Sequence, residues 1–219
     1  HIINGEWLDS VCDDLATMHS RGQKVLIVTS GAISLGLEPL DLWNKDMRLD
    51  EKQASAAVGQ MRLAQSYQDS LDRHGLTLAQ ILLTADDTEN RRRFLNARET
   101  LRTLLDLGSV PLINENDTVA TEEIRFGDND RLAARVAQMI DADLLVLLSD
   151  TDGLYSANPL KDDKAKKIKE VYQVDNNIEK MASAQSSNIG SGGMMTKVWA
   201  AKMCMSNGCA TIITNSNKM

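Results

Sequence analysis

A chain of 219 residues with 42% hydrophobic and 25% charged side chains can bury a full core. That composition fits neither a disordered tract nor a collagen-like repeat, a coiled coil or a disulfide scaffold. The 24 basic and 31 acidic residues leave a formal charge of −7, which argues against nucleic acid or an anionic membrane as a partner, so any bound anion must be held locally.

Cys12, Cys204 and Cys209 lack CxxC spacing and read as reduced, buried thiols of a cytoplasmic protein. No apolar run reaches the roughly 20 residues of a membrane span, and the N-terminus has no signal-peptide pattern.

In chain order, Trp7, Leu8, Val11, Leu15 and Met18 recur at steps of three and four and predict a helix that stops at Arg21-Gly22. A buried strand is expected over Val25–Thr29, followed by a Ser-Gly turn into a helix. Further helices are expected from about Asp50 to His74 and from about Thr88 to Leu107, flanking a strand over Leu78–Leu83. A strand over Val110–Asn114 precedes a helix over Asp130–Ile140 and a strand over Leu144–Ser149. The stretch from Asp152-Gly153 to Lys169 contains the run KDDKAKKIK and reads as an exposed excursion. A last helix over Met194–Asn207, closed by Gly208, leads to a strand over Thr211–Thr214. The alternation predicts one α/β domain over 1–219, a mostly parallel central sheet with helices on both faces. Such domains usually begin with the central strand, whereas this chain opens in a helix at His1, so a first strand is expected to be missing.

Four segments carry chemistry. Ile113–Arg135 reads INENDTVATEEIRFGDNDRLAAR and starts at the carboxyl end of a strand, where ligands of open α/β sheets bind; Asn and Asp also serve turns and caps, and Asp130 could simply cap its helix. Asn188–Lys197, NIGSGGMMTK, runs a glycine-rich turn into a helix N-terminus with a lysine one turn in. Unpaired amides, the helix dipole and an ammonium together hold anions. It matches neither a Walker loop nor GxGxxG, whose last glycine would fall at Met195. The strand over Leu144–Leu148 ends in Ser149-Asp150-Thr151-Asp152-Gly153, which could hold a ribose, a base edge or hydrated magnesium, or be a plain Asp-Gly turn. Ser30-Gly31 in VLIVTSGAI offers a hydroxyl and an amide at the same sheet edge. Hydrolase chemistry lacks a GxSxG serine with a histidine partner, and a zinc site lacks ligands.

Taken together and in this order, VTSGAI, INENDTVA with GDNDRLAA, LLSDTDGLY and GSGGMMTK resemble the glutamate 5-kinases of the amino acid kinase family over most of the chain. The resemblance implies the family's sandwich fold and transfer of the γ-phosphoryl of ATP, with Mg2+, to the side-chain carboxylate of L-glutamate, the first step toward proline. It implies Ser30, Asp117 and Asn129 as glutamate contacts. Ser149 and Asp150, with the loop Ser191, Gly192, Gly193, Met194, Met195, Thr196 and Lys197, are implied to hold ATP. Lys197 would be the catalytic cation, organised by Asp130. The resemblance also implies feedback by L-proline, and we expect a homo-oligomer in the cytoplasm, without nucleic acid or membrane partners.

The chain departs from the family at its start. The family's first strand ends in a lysine-glycine motif that nothing before Asn4 contains, and Lys24 precedes its strand and so belongs to the opposite sheet edge. The family's optional C-terminal RNA-binding-like domain is also expected to be absent. Two alternatives stand beside the kinase: a glutamate or proline binding module without turnover, and a kinase of another small acid.

Overall fold

The computed structural model describes residues 3–43, 46–120, 129–159, 161–185 and 193–216. The chain divides into two compact units, His1–Phe126 and Gly127–Met219.

In the first unit, α1 (Gly5–Ser20) begins at Asn4, whose side chain accepts a hydrogen bond from the Trp7 amide, the usual relief of an unpaired first-turn donor. After β1 (Ile27–Val28) come α2 (Ala32–Leu37), α3 (Leu49–Asp72), β2 (Leu78–Leu83), α4 (Ala85–Glu89), α5 (Arg91–Asp106) and β3 (Val110–Glu115). The strands lie in the order β1-β3-β2 with both pairings parallel, so their carboxyl ends share one edge. All six residues of β3 are buried. Val110 and Leu112 join Leu8 and Cys12 of α1 and Leu63, Tyr67 and Leu71 of α3 in one core. Pro111 and Ile113, which alternate to the other face, are also buried, and α5 packs on β3.

Two expectations are refined here. The first strand is shorter than the apolar run, because only Ile27 and Val28 pair with β3. Thr29 still donates its amide to the Ile113 carbonyl at 2.9 Å, but the chain then turns at Gly31, which has φ 99°, a conformation that favours glycine. The helix expected over Thr88–Leu107 is two helices. Asn90 is extended (ψ 117°), and its side chain accepts from the amides of Arg92 and Arg93, capping α5 and ending α4.

Helices α2 and α3 cross at backbone contact. A Cβ on Gly36 would lie 1.8 Å from the Ser55 carbonyl oxygen, and one on Gly59 would lie 1.7 Å from that of Ala32. No side chain fits at either position.

In the second unit, α6 (Asn129–Ile140), β4 (Leu144–Ser149), α7 (Asn176–Ala184), α8 (Met194–Met205) and β5 (Ala210–Asn215) follow in order, with β4 and β5 parallel. Every pairing between the described strands is thus parallel. Helix α7, which the sequence reading did not anticipate, starts at Asp175, whose carboxylate accepts from Asn177 and Ile178. Its Ala182 packs with Leu154, Met194 and Val198. The charged excursion is tied down at its base, where the Ile168 amide donates to the Leu154 carbonyl at 2.8 Å, while Lys161, Lys164 and Lys166 stay exposed. No described helix is long and apolar enough to cross a membrane.

Candidate functional site

In the second unit, the first turns of α6 and α8 bring three of the expected residues into direct contact. Lys197 Nζ donates to Asp130 Oδ2 at 2.9 Å. Thr196 Oγ1 stands 2.8 Å from the same oxygen and 2.7 Å from the Gly193 carbonyl, so its single proton serves one acceptor at a time. Lys197 is buried, one turn after the N-cap Gly193. A buried ammonium requires a partner, and Asp130 supplies one from the first turn of α6, where the helix dipole favours a carboxylate. Gly193 is the N-cap of α8, Met194 is buried and Met195 half-buried. Ser191 and Gly192, as well as Gly127 and Asp128 of the GDND motif, lie outside the described residues.

At the end of β4 the Ser149 hydroxyl lies 3.2 Å from Asp150 Oδ1 and accepts from the Thr151 amide at 3.3 Å. The backbone is anchored to the end of β5, with Ser216 donating to the Ser149 carbonyl at 2.8 Å and Asn215 Nδ2 to that of Asp150 at 2.9 Å. The two carboxylates of this loop have different surroundings. Asp150 is exposed. Asp152 accepts from Tyr155 OH at 2.7 Å and Lys167 Nζ at 3.1 Å, and the bond to Asp152 pushes the Tyr155 hydroxyl above its ordinary pKa. Asp152 therefore belongs to the frame of the excursion.

In the first unit, Ser30 and Gly31 follow β1, and Gly31 caps α2. The INEND segment separates into framework and accessible parts. Asn114 is buried; its Nδ2 donates to Gln60 Oε1 at 2.8 Å and its Oδ1 accepts from the Glu115 amide at 2.9 Å. Asn116 makes a turn, its carbonyl accepting from Val119 and Ala120 at 3.2 Å. Asp117 instead lines a shallow concavity with Ile33, Leu49, Lys52, Gln53 and Ala120.

The sequence predicts α3 only as a helix, and the polar contacts along it were missed. Gln53 Nε2 donates to the Ala120 carbonyl at 3.1 Å, Gln60 holds Asn114, and Tyr67 hydrogen-bonds Thr29. Burial pushes the Tyr67 hydroxyl up, against the Thr29 bond. These three residues recur every seventh position on one helix face and reach three successive segments at the sheet edge. Two glutamines within a buried stripe were the available signal, since an amide is rarely buried without a partner.

The chain belongs to the amino acid kinase family, whose model, Amino acid kinase family, matches residues 2–215. It is 57% identical over 213 residues to the glutamate 5-kinase of Paramagnetospirillum magneticum, covering 97% of this chain and 57% of that protein. It is 52% identical over 214 residues to the glutamate 5-kinase of a Ruegeria species, with 98% and 58% covered. The chain thus spans a little over half the length of these curated relatives. Among solved structures, carbamate kinase from Giardia lamblia bound to AMP-PNP aligns with a TM-score of 0.65 at 14% identity over 96% of this chain and 85% of that one. Isopentenyl phosphate kinase from T. acidophilum aligns at 0.60 and 18% identity over 97% and 82%. At such identities the likeness establishes the fold alone.

Proposed function

We propose that this chain carries out the chemistry of a glutamate 5-kinase, moving the γ-phosphoryl group of ATP to the side-chain carboxylate of L-glutamate. The observation that carries the reading is the buried Lys197–Asp130 pair at the start of α8, directly after the glycine-rich segment. The naming of relatives more than half identical to the chain as glutamate 5-kinases supports the choice of acceptor.

In this reading Ser30, Asp117 and Asn129 hold glutamate, while Ser149, Asp150 and the segment from Ser191 to Lys197 hold the nucleotide. The acceptor carboxylate is already a nucleophile and needs no general base. One of its oxygens forms a bond to the γ-phosphorus as the bond from that phosphorus to the β,γ-bridging oxygen breaks, and ADP leaves with the electron pair. Catalysis then consists of aligning two anions and neutralising charge on the transferring group, for which Lys197 is the placed cation and Asp130 its anchor.

Magnesium would accompany the nucleotide, held by phosphate oxygens and water, with Asp150 the carboxylate at hand. The described residues contain no group of three or more Asp, Glu, His or Cys able to cage an ion. A cytoplasmic location, homo-oligomeric assembly and feedback by L-proline belong to the same reading.

The test is ADP release by the intact protein with ATP, magnesium and L-glutamate. Glutamate-dependent turnover is expected. Bound glutamate without turnover would favour a binding module, and turnover with aspartate or acetylglutamate in its place would favour a kinase of another small acid.

A further inference from the structure

Two further contacts join α6 to α8, and the proposed chemistry uses neither. Near the C-terminal ends of the helices, Gln138 Nε2 donates to the Met203 carbonyl at 3.2 Å. At their starts the Arg131 guanidinium carbon lies 4.8 Å from the centroid of the Trp199 ring, within the reach of a cation–π contact. Arg131 directly follows Asp130, and Trp199 comes two residues after Lys197.

Local preferences do not account for this stack. Arg131 stands in the first turn of α6, where the helix dipole opposes a cation. Among the described residues its partner is the indole ring and no carboxylate pairs with it. Trp199 is 43% exposed between Val198 and Ala200, which are both buried, so its ring lies across the outer side of α8.

The consequence falls on Lys197. Consecutive helical residues point about 100° apart, so Asp130 and Arg131 approach α8 from different directions. A single contact acts as a pivot, whereas two from different directions fix the rotation of one helix start against the other. Lys197 cannot be the sole tie if its charge also serves a transferring phosphoryl group, because any shift toward that group would pull on Asp130. The stack holds the helix starts without drawing on that charge.

We infer that Arg131 and Trp199 are positioning residues whose stack holds the first turn of α8, and with it the Lys197 ammonium, in the place that phosphoryl transfer requires. This rests on the kinase reading and deepens it, since it gives an aromatic face on the outer side of α8 a share in kcat.

The experiment compares wild type, Trp199→Phe, Trp199→Leu, Arg131→Lys and Arg131→Gln in the intact protein, by steady-state kinetics with ATP, magnesium and L-glutamate. Trp199→Leu and Arg131→Gln are expected to lower kcat roughly 5- to 20-fold, less than the roughly 10²-fold that a misplacement of about 1 Å costs, with both KM values within about twofold. Trp199→Phe and Arg131→Lys should recover most of the loss, because they keep a π face and a cation, whereas Trp199→Leu keeps only apolar bulk. Combining Arg131→Gln with Trp199→Leu should cost no more than either change alone. In a Lys197→Met background Trp199→Leu should leave the residual kcat unchanged, since the charge it positions is gone. Hydrogen exchange reads the same device without turnover. The Thr196 and Lys197 amides, bonded to the Gly193 carbonyl at 3.1 and 3.4 Å, should exchange at least about fivefold faster in Trp199→Leu and Arg131→Gln, and at the wild-type rate in Trp199→Phe.

Equal kcat values for Trp199→Phe and Trp199→Leu would overturn the inference, as would the full Trp199→Leu loss persisting in the Lys197→Met background or unchanged exchange at the two amides. Absence of glutamate-dependent turnover in wild type, with faster exchange in Trp199→Leu, would remove the kinase reading and leave the hold of the stack on α8 standing.

Discussion

Lys197 and Asp130 form an ion pair with only 9% and 13% of their side chains exposed, contributed by residues 67 positions apart in the sequence. Removing one partner of a buried pair leaves the other charge uncompensated, a loss of about 3–5 kcal/mol. Asp130→Ala is therefore expected to lower the melting temperature by about 6–20 °C, at 2–4 °C per kcal/mol for a chain of this size, and to reduce kcat. A melting curve unchanged from wild type would mean that the pair does not hold the second unit together.

Lys197→Met replaces the charge with a side chain of similar length. In the proposed chemistry kcat falls on the order of 10³-fold, as for other cations of phosphoryl transfer, and the calorimetric affinity for glutamate stays within about twofold. Loss of glutamate affinity would move Lys197 from the phosphate side to the acceptor side.

In the proposed function, the residues assigned to glutamate are separable by kinetics from those assigned to the nucleotide. Asn129→Ala is expected to raise the KM for glutamate at least about tenfold, the loss of one hydrogen bond to a charged group, with a smaller change in the KM for ATP. Equal rises in both constants would show that the two sets of residues are drawn wrongly.

The crossing of α2 and α3 makes Gly59→Ala a severe change for one methyl group, because the new Cβ would meet the Ala32 carbonyl oxygen at 1.7 Å. Overpacking of backbone against backbone has no side chain to move aside, so a loss of about 3 kcal/mol is expected, or roughly 6–12 °C in melting temperature. Gly5→Ala, where nothing lies within 4 Å, is the control and should shift melting by less than about 2 °C. Similar effects at the two positions would mean that the helices can separate freely.

Burial, with Cys209 beside it, pushes the Cys204 thiol up to about 12, and burial also raises that of Cys209. A thiol in the unfolded chain titrates near 8.5. Below that pH both states are protonated and Cys204 contributes nothing to pH dependence. Between about 8.5 and about 12 the unfolded chain releases a proton that the folded chain keeps, so stability falls as pH rises. Iodoacetamide at pH 8.5 is expected to label both cysteines at least about 100-fold faster in urea than in buffer, since the thiolate is the reactive form. Urea melts should give a Cys204→Ala variant a shallower alkaline limb.

Much of the fold was legible because its signals are local. The apolar runs Leu78–Leu83 and Leu144–Ser149 are β2 and β4 residue for residue, since a strand buried in a parallel sheet needs no more than its own hydrophobic length. The break at Asn90 was missed although an asparagine before three arginines is a capping signal, because the apolar period runs on past it. Helix α7 was missed because its nine residues bury Ala182 alone. Within the candidate site, the pairing of Asp130 with Lys197 followed from motif resemblance. That Asn114 and Asn116 are framework while Asp117 lines a recess could not be read from INEND, since all are turn-forming polar residues and only the packing of α3 separates them.

The seven-residue recurrence of Gln53, Gln60 and Tyr67 makes α3 a ruler. At about 1.5 Å per residue its outer marks stand roughly 21 Å apart along the axis, and each mark fixes one segment at the sheet edge. Lengthening the helix by one residue between two marks would turn the later ones by about 100° and detach their segments together. Substitutions at the exposed positions of this stretch, such as Met61, can therefore be absorbed singly, whereas a change in its length cannot. Spacing along α3, more than the identity of any one polar tip, sets the spacing of these segments at the sheet edge.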